Sequence, residues 1–472
     1  FRRTLGLERV GANDDFFKIG GTSINAIKVV AVLSQSGLKI SYKDLFATKT
    51  PRALAAHLSE TPQTAAPAAG TCAAETPAEE FGDILRKNTI AAFNDGELQS
   101  VGNVLLTGAT GFLGVHVLHW LLDATDARVY CVVRGSKSFD ASSRVRTLLF
   151  YYFGDTYEHL WDKRIFIVTG DLTEAATLEA LDASAIDTVI NCAASVKHFA
   201  PGNEIEHANV DTVRNIVDWC AAHDRRLVHI STVSVAGDAE ASVAAGMVLT
   251  EQSLDLGQGL SNQYVKSKYD AEKIILGAIA EDRIQAKIMR VGNISPRESD
   301  GEFQANFQSN AFMGMLRAYL ALGCIPYSHL DSSCEFSPVD QLSWSILRLA
   351  TTPTDNVVFH PLNNHHVPMA DVIGVMNEVL PKKIECVEPE LFAARLNEAM
   401  ASGSDVVTLL QPLVAYQSAD GNTAYIGCSP KFTNEILFRL DFRWSPTSTA
   451  YIRNFITAIA GLGYFDAAMA PE

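Results

Sequence analysis

The stretch Asn103-Val104-Leu105-Leu106-Thr107-Gly108-Ala109-Thr110-Gly111-Phe112-Leu113-Gly114 runs an apolar strand into three glycines at G-x-x-G-x-x-G spacing, with a helix-period run through Leu122 behind them. Glycines at a strand-to-helix turn allow a tight bend and let a pyrophosphate approach the helix N-terminus, where unpaired N–H groups favour anions. The stretch therefore predicts a dinucleotide cradle built from Gly108, Thr110, Gly111, Phe112, Leu113 and Gly114. The spacing is not G-x-G-x-x-G, and a glycine triplet alone is weak. Its position after a strand is what carries the reading.

Downstream, strand-like runs at 128–133, 165–168, 188–192, 227–230 and 287–291 alternate with helical ones. Such alternation predicts crossover units and an α/β fold: a doubly wound, Rossmann-like parallel sheet with helices on both faces. Beyond residue 295 the pattern turns mostly helical, with an apolar run from Phe312 to Leu322, and reads as a substrate-binding lid. Residues 1–60 hold a Gly20-Gly21 turn and helix-period runs at 23–33 and 45–58, which predict a small helical bundle. Pro62, Pro67 and Pro77 among Ala, Thr and Gly make 61–80 a semi-flexible linker. The expected units are thus 1–60, 61–80, 81–295 and 296–472.

A net charge of -16 over 472 residues, with no offsetting Lys/Arg cluster, argues against nucleic acid as a partner. No apolar run reaches the length of a membrane span, and no charged segment precedes an apolar one near the start, so a cytoplasmic protein without membrane association is expected. The eight cysteines show neither C-x-x-C nor zinc-like spacing and read as reduced. His198, His365 and His366 lack a carboxylate or cysteine at ligand spacing, so no metal site is expected. The chain opens at Phe1 and its pattern starts almost at once, which reads as a piece of something longer.

Arg134 falls 20 residues past Gly114, where an NAD enzyme would present an acid to the ribose hydroxyls. A cation there pairs with a 2'-phosphate, so the expected cofactor is NADPH. Arg144 reads either as a second cation or as a solvated surface group. Asp171, with Leu172 after it, reads either as a contact to the adenine or as a simple turn acid.

Tyr264 and Lys268 are four apart in a helical stretch, which puts both on one face. A phenol ordinarily titrates near pH ~10. A neighbouring ammonium and an oxidised nicotinamide favour the phenolate and bring proton exchange closer to neutrality. Y-x-x-x-K is common by chance, and the cofactor fold ahead of it makes it informative. Ser231-Thr232 closes the strand that ends at Ile230; counting back from Gly237 favours Thr232 over Ser231 as a second donor to a developing oxyanion.

Ser23, two residues past Gly21, is expected at a helix N-terminus, where a serine alone reads as an N-cap or as a seat for a phosphodiester. With Asp14-Asp15-Phe16-Phe17 before it and Ile24, Ala26 and Ile27 after it, residues 5–60 resemble the carrier (thiolation) domains of nonribosomal peptide synthetases. Thr22 stands where that family often has His. The resemblance implies 4'-phosphopantetheine on Ser23, placed by a phosphopantetheinyl transferase.

The glycine loop with Thr232, Tyr264 and Lys268 resembles the extended short-chain dehydrogenase/reductase superfamily. Within it, Cys131-Val-Val-Arg134, the insert from Ser138 to Trp161, Gly170-Asp171-Leu172, Asn191-Cys-Ala-Ala194, Asn209-Val210 and Arg290-Val-Gly-Asn-Ile294 resemble terminal thioester reductase domains. This implies a Thr232–Tyr264–Lys268 triad, Lys268 also touching the nicotinamide ribose. It further implies that Ala193, Ala194, Gly292 and Asn293 line the cofactor and acyl site.

Together the resemblances imply NADPH-dependent reductive release of a carrier-bound acyl or peptidyl thioester. Hydride reaches the carbonyl carbon, Tyr264 and Thr232 stabilise the oxygen, and collapse of the hemithioacetal frees the pantetheine thiol and an aldehyde, which a further hydride would take to an alcohol. Upstream condensation and adenylation modules would supply the chain. The alternatives are the C-terminal part of a carboxylic acid or aminoadipate reductase, a cyclising reductase-like domain without net reduction, and a nucleotide-sugar epimerase or dehydratase. Cyclising domains generally lack the tyrosine, and an epimerase needs no carrier.

Overall fold

The computed structural model describes residues 1–7, 9–21, 25–26, 29, 33, 44–45, 48–60, 80–135, 140–197, 203–238, 247–260, 262–401, 406–416 and 426–469. Ser23, Thr22, the linker from 61 to 79 and His198 lie outside them.

Seven strands form one parallel sheet: β1 (Val104–Thr107), β2 (Val129–Val133), β3 (Ile165–Thr169), β4 (Thr188–Asn191), β5 (Arg226–Thr232), β6 (Ala286–Val291) and β7 (Val358–Phe359). Their order is 3-2-1-4-5-6-7. Thr107 sits beside Val132 and Asn191, and Thr232 beside Val291, so these carboxyl ends share one edge. The order reverses between β1 and β4, which opens a ligand crevice above that edge. Val104, Leu105 and Leu106 are fully buried, as a central parallel strand covered on both faces requires. Each such side chain contributes about 1.5–3 kcal/mol on burial.

The principal helices are α1 (Phe112–Ala124), α2 (Ala141–Phe153), α3 (Thr212–His223), α4 (Gln263–Ala280), α5 (Ala311–Leu322), α6 (Val339–Ala350), α7 (Met369–Val379), α8 (Pro389–Ala401) and α9 (Thr449–Gly461). On one face, Leu118 and Leu121 of α1 and Ile346 of α6 cover Leu106 and Val129. The Trp120 indole N–H donates to the Asp340 carbonyl at 3.0 Å, and its ring lies 4.6 Å from that of Trp344. On the other face, Ile216 of α3 and Ile275 of α4 cover Leu105, Val189 and Ile288. Helices α5, α7, α8 and α9 build a second core around Leu316, Val372, Phe392 and Phe455.

The expected division at residue 295 does not follow the packing. Strand β7, helix α6 and the segment from Phe432 to Trp444 belong to the core of the sheet. The chain leaves the sheet after β6 and returns to add a seventh strand. Asn88 fixes that return: its Oδ1 accepts from the N–H groups of Val357 (2.9 Å) and Val358 (3.1 Å).

In the N-terminal unit Phe16 is fully buried among Ala26, Val29, Leu45 and Leu54, and its N–H donates to the Lys49 carbonyl at 2.7 Å. That small core also packs against Met400 of α8. Among the described residues no helix is long and apolar enough to cross a membrane.

Candidate active site

The glycine loop sits at the switch point between β1 and β4. Gly108 has φ +70°, and a Cβ there would lie 2.6 Å from the Cys192 carbonyl carbon and 2.7 Å from the Ala193 nitrogen. At Gly114 a Cβ would lie 2.0 Å from the Gly108 carbonyl oxygen. The loop is thus pressed onto the end of β4 on one side and onto α1 on the other, leaving the N-terminus of α1 bare for a pyrophosphate. Thr107 ties the floor together, its hydroxyl donating to Asn191 Oδ1 (2.6 Å) and accepting from the Ala193 N–H (3.1 Å).

Leu113 and Leu172 turn their side chains into the two cores of the sheet, so only their backbones are available to a ligand. Phe112 stands in an aromatic group with His116, Tyr152 and Phe303, which joins α1 to α2 and to the second core.

Arg134, Gly135, Arg144, Gly170 and Asp171 surround an open cleft of about 660 Å³ beside this loop. Arg144, on the first turn of α2, donates to the Arg134 carbonyl at 2.7 Å. Asp171 accepts from both the N–H and the hydroxyl of Thr173, at 3.0 and 2.9 Å. It is therefore a turn acid and also part of the cleft wall. Two guanidinium groups at the mouth fit a 2'-phosphate, and the glycine cradle fits the pyrophosphate.

Asn262 caps α4 by accepting from the N–H groups of Tyr264 (2.9 Å) and Val265 (3.3 Å), which sets Tyr264 on the first turn beside the end of β5. The Thr232 hydroxyl oxygen accepts from the Ser234 N–H at 3.1 Å, and the same hydroxyl is hydrogen-bonded to the Tyr264 side chain. Burial pushes the Tyr264 phenol up to about 12, partly offset by Thr232. Lys268 is 4% exposed and donates to the Ile230 carbonyl at 2.7 Å. Burial lowers its ammonium to about 8, against the opposing pull of Cys192 and Glu272.

Sequence reasoning expected the lysine to draw the phenol towards neutrality. Burial instead holds the phenol protonated, and the Thr232 hydrogen bond opposes that shift. A neutral phenol carries the proton that a developing oxyanion requires.

The spacing rules did not find the layer beneath. Glu272 continues the Tyr264–Lys268 face by one more turn and is fully buried, as is Arg290 of β6. Arg290 Nη2 donates to Glu272 at 2.8 Å, and the Ser231 hydroxyl donates to the same carboxylate at 2.5 Å. The Ser231 hydroxyl is thus engaged in this buried layer, whereas the Thr232 hydroxyl lies against the Tyr264 side chain. Asn209, inside a π-helical turn His207–Asp211, clamps both the N–H and the carbonyl of Ser195 and donates to Ser267 Oγ at 2.9 Å. It joins the loop carrying Ala193 and Ala194 to α4; such turns are frequent at functional sites. Gly292 and Asn293 end β6, where the Asn293 N–H donates to Glu335 at 2.5 Å. His366 is hydrogen-bonded to Ser333 at 2.9 Å, beside the short antiparallel pair Ser333–Cys334 and Val367–Pro368.

Residues 106–346 match the family model described as male sterility protein, an NAD-binding domain, and residues 1–58 match a phosphopantetheine attachment site. A thiolation-reductase di-domain from an archaeal nonribosomal peptide synthetase is similar over 98% of this chain and 96% of its own, with 32% identity and a TM-score of 0.86. An isonitrile lipopeptide synthase of Streptomyces coeruleorubidus is 29% identical over 80% of this chain. The L-2-aminoadipate reductase large subunit of Eremothecium gossypii is 26% identical over 76%. The chain spans 26% of the first of these curated relatives and 27% of the second.

Proposed function

Since the chain belongs to the family of NAD-binding domains described as male sterility protein, with a phosphopantetheine attachment domain ahead of it, we propose that it is a carrier–reductase pair that releases an acyl or peptidyl thioester by NADPH-dependent reduction, as an aldehyde. The observation that carries this is the Thr232–Tyr264–Lys268 cluster at the mouth of a dinucleotide cradle, in a chain whose first domain belongs to a thioester carrier.

NADPH, when bound, supplies the hydride, its 2'-phosphate held by Arg134 and Arg144. Asp171 closes the adenine side. Lys268, anchored to the Ile230 carbonyl, presents its ammonium towards the ribose. Tyr264 donates its proton to the thioester oxygen as charge develops there, and Thr232 holds the phenolate that remains. In the later release the hydroxyl on the former carbonyl carbon gives its proton back to the Tyr264 phenolate, the C–S bond breaks, and the pantetheine sulfur leaves as a thiolate that takes a proton from solvent. A phosphopantetheinyl transferase loads Ser23, and upstream synthetase modules deliver the chain. All seven described cysteines are unpaired, which supports the cytoplasm as the working compartment.

The test is to load the carrier with an aminoacyl-pantetheine, follow NADPH absorbance and trap carbonyl product with a hydroxylamine. One NADPH consumed per aldehyde is the expected outcome; two per alcohol would extend the reaction by one step. Product formed without NADPH loss would replace this reading with cyclising release.

A further inference from the structure

Gly292 is a glycine for a reason other than backbone conformation, since its φ lies outside the left-handed region. The three atoms nearest to a Cβ built there all belong to Glu335: Oε2 at 2.6 Å, Oε1 at 2.7 Å and Cδ at 2.8 Å. The position is kept empty for this carboxylate.

Glu335 stands between two short strands, Ser333–Cys334 and Ser337–Pro338. The second pairs in parallel with Ile294–Ser295, and the Ser337 N–H donates to the Asn293 carbonyl at 3.0 Å. From there Oε2 accepts from the Asn293 N–H at 2.5 Å and Oε1 accepts from the Ser337 hydroxyl, which itself accepts from the Asn363 N–H at 2.9 Å. The next residue, Phe336, is 4% exposed and packs on Phe312, Tyr451 and Phe455 of the lid. One side chain thus grips the end of a central strand while its neighbour is embedded in the second core. Among the described residues Glu335 forms no ion pair; the titratable groups that feel it are Tyr451 and Cys428.

We propose that Glu335 is a positioning residue of the reduction site, whose carboxylate holds the Gly292–Asn293 peptide at the end of β6 and couples its placement to the lid. The inference rests on the reading of Thr232, Tyr264 and Lys268 as that site. An anionic acceptor on a backbone N–H is a strong, short-range restraint, and a shift of the strand end would be felt wherever that peptide borders the bound reactants. Burial raises the Glu335 carboxyl to about 7. Protonation removes one of its acceptor oxygens, so the gripped form fills as pH rises through 7, and turnover gains a limb that climbs with it.

The experiment uses the full chain carrying Glu335→Gln, Glu335→Asp, Glu335→Ala, Gly292→Ala and the Gly292→Ala/Glu335→Ala double change. Glu335→Gln should lower kcat about tenfold with little change in KM for the thioester, since one charged hydrogen bond is lost. It should also flatten the limb near neutral pH, and Glu335→Asp should restore part of both. Gly292→Ala should weaken NADPH binding, read by cofactor fluorescence, and lower the unfolding temperature. In the Glu335→Ala background the same methyl fills vacated space and should cost little, so the two changes will not add. Wild-type kcat and an unchanged pH limb in Glu335→Gln, or strict additivity of the pair, would overturn the clamp. A wild-type chain that reduces no thioester would overturn the site reading beneath it instead.

Discussion

Lys268 keeps its ammonium in a pocket where it is 4% exposed, with one carbonyl at hydrogen-bond distance and its nearest carboxylate already engaged by Arg290. Burial lowers its pKa from 10.5 to about 8. The folded state therefore binds fewer protons than the unfolded one between those values, so stability rises with pH across that window and is lost as pH falls through 8. Lys268→Met should be more stable than wild type at neutral pH, by up to about 3 kcal/mol, the difference fading at alkaline pH. Denaturant midpoints of both proteins at several pH values check this; parallel curves would contradict it. Turnover in that variant should be lost if, as proposed, the ammonium serves the nicotinamide ribose. Tyr264→Phe isolates the proton donor: it should lower kcat at least about a hundredfold while the NADPH dissociation constant stays near wild type. A Tyr264→Phe enzyme with near-normal turnover would remove the phenol from the mechanism.

At the scale of elements, α4 does two jobs with one face. Tyr264, Lys268 and Glu272 follow at four-residue intervals, so the first turn reaches the site, the second bridges to β5 and the third is locked to β6 through Arg290. Glu272→Ala should cost about 3–5 kcal/mol, because it strands a fully buried guanidinium, whereas Ser231→Ala removes only one hydrogen bond and should cost about 1 kcal/mol. Thermal unfolding of the two variants would separate them, and a mild Glu272→Ala would mean that the pair does not hold the sheet. The first two members of this face were legible because an i, i+4 pair after a cofactor motif is a recognisable pattern. Glu272 obeys the same spacing and was missed, since an acid on a helix is usually solvated and only the fold shows what lies opposite. Strand β1 was legible as a continuous apolar run into glycines. Strand β7 was not: two residues cannot show a period, and it is held by its pairing with β6 and by Asn88, which accepts from Val357 and Val358 and lies far away in sequence. Glu335 has no sequence signal for the same reason.

At the scale of the whole molecule, the apolar contact of the small N-terminal core with the reductase among the described residues is Met400 on α8, and a segment of about twenty residues joins the two units in the chain. A single apolar side chain contributes on the order of 1–2 kcal/mol when buried, a factor of roughly ten in affinity. A covalent tether that lets both sites engage can raise apparent affinity by about 10²–10⁴ through effective concentration alone. The tether should therefore dominate in the intact chain and the contact should matter only when the tether is cut. Met400→Glu is accordingly expected to leave single-turnover reduction of a thioester loaded on Ser23 nearly unchanged in the full chain. The same substitution in an isolated reductase should raise KM for a separately supplied loaded carrier about tenfold, while leaving reduction of a free pantetheine thioester untouched. If Met400→Glu slowed the intact chain as much as the split pair, the contact on α8 and not the tether would set delivery, and the two units would have to be regarded as a docked assembly.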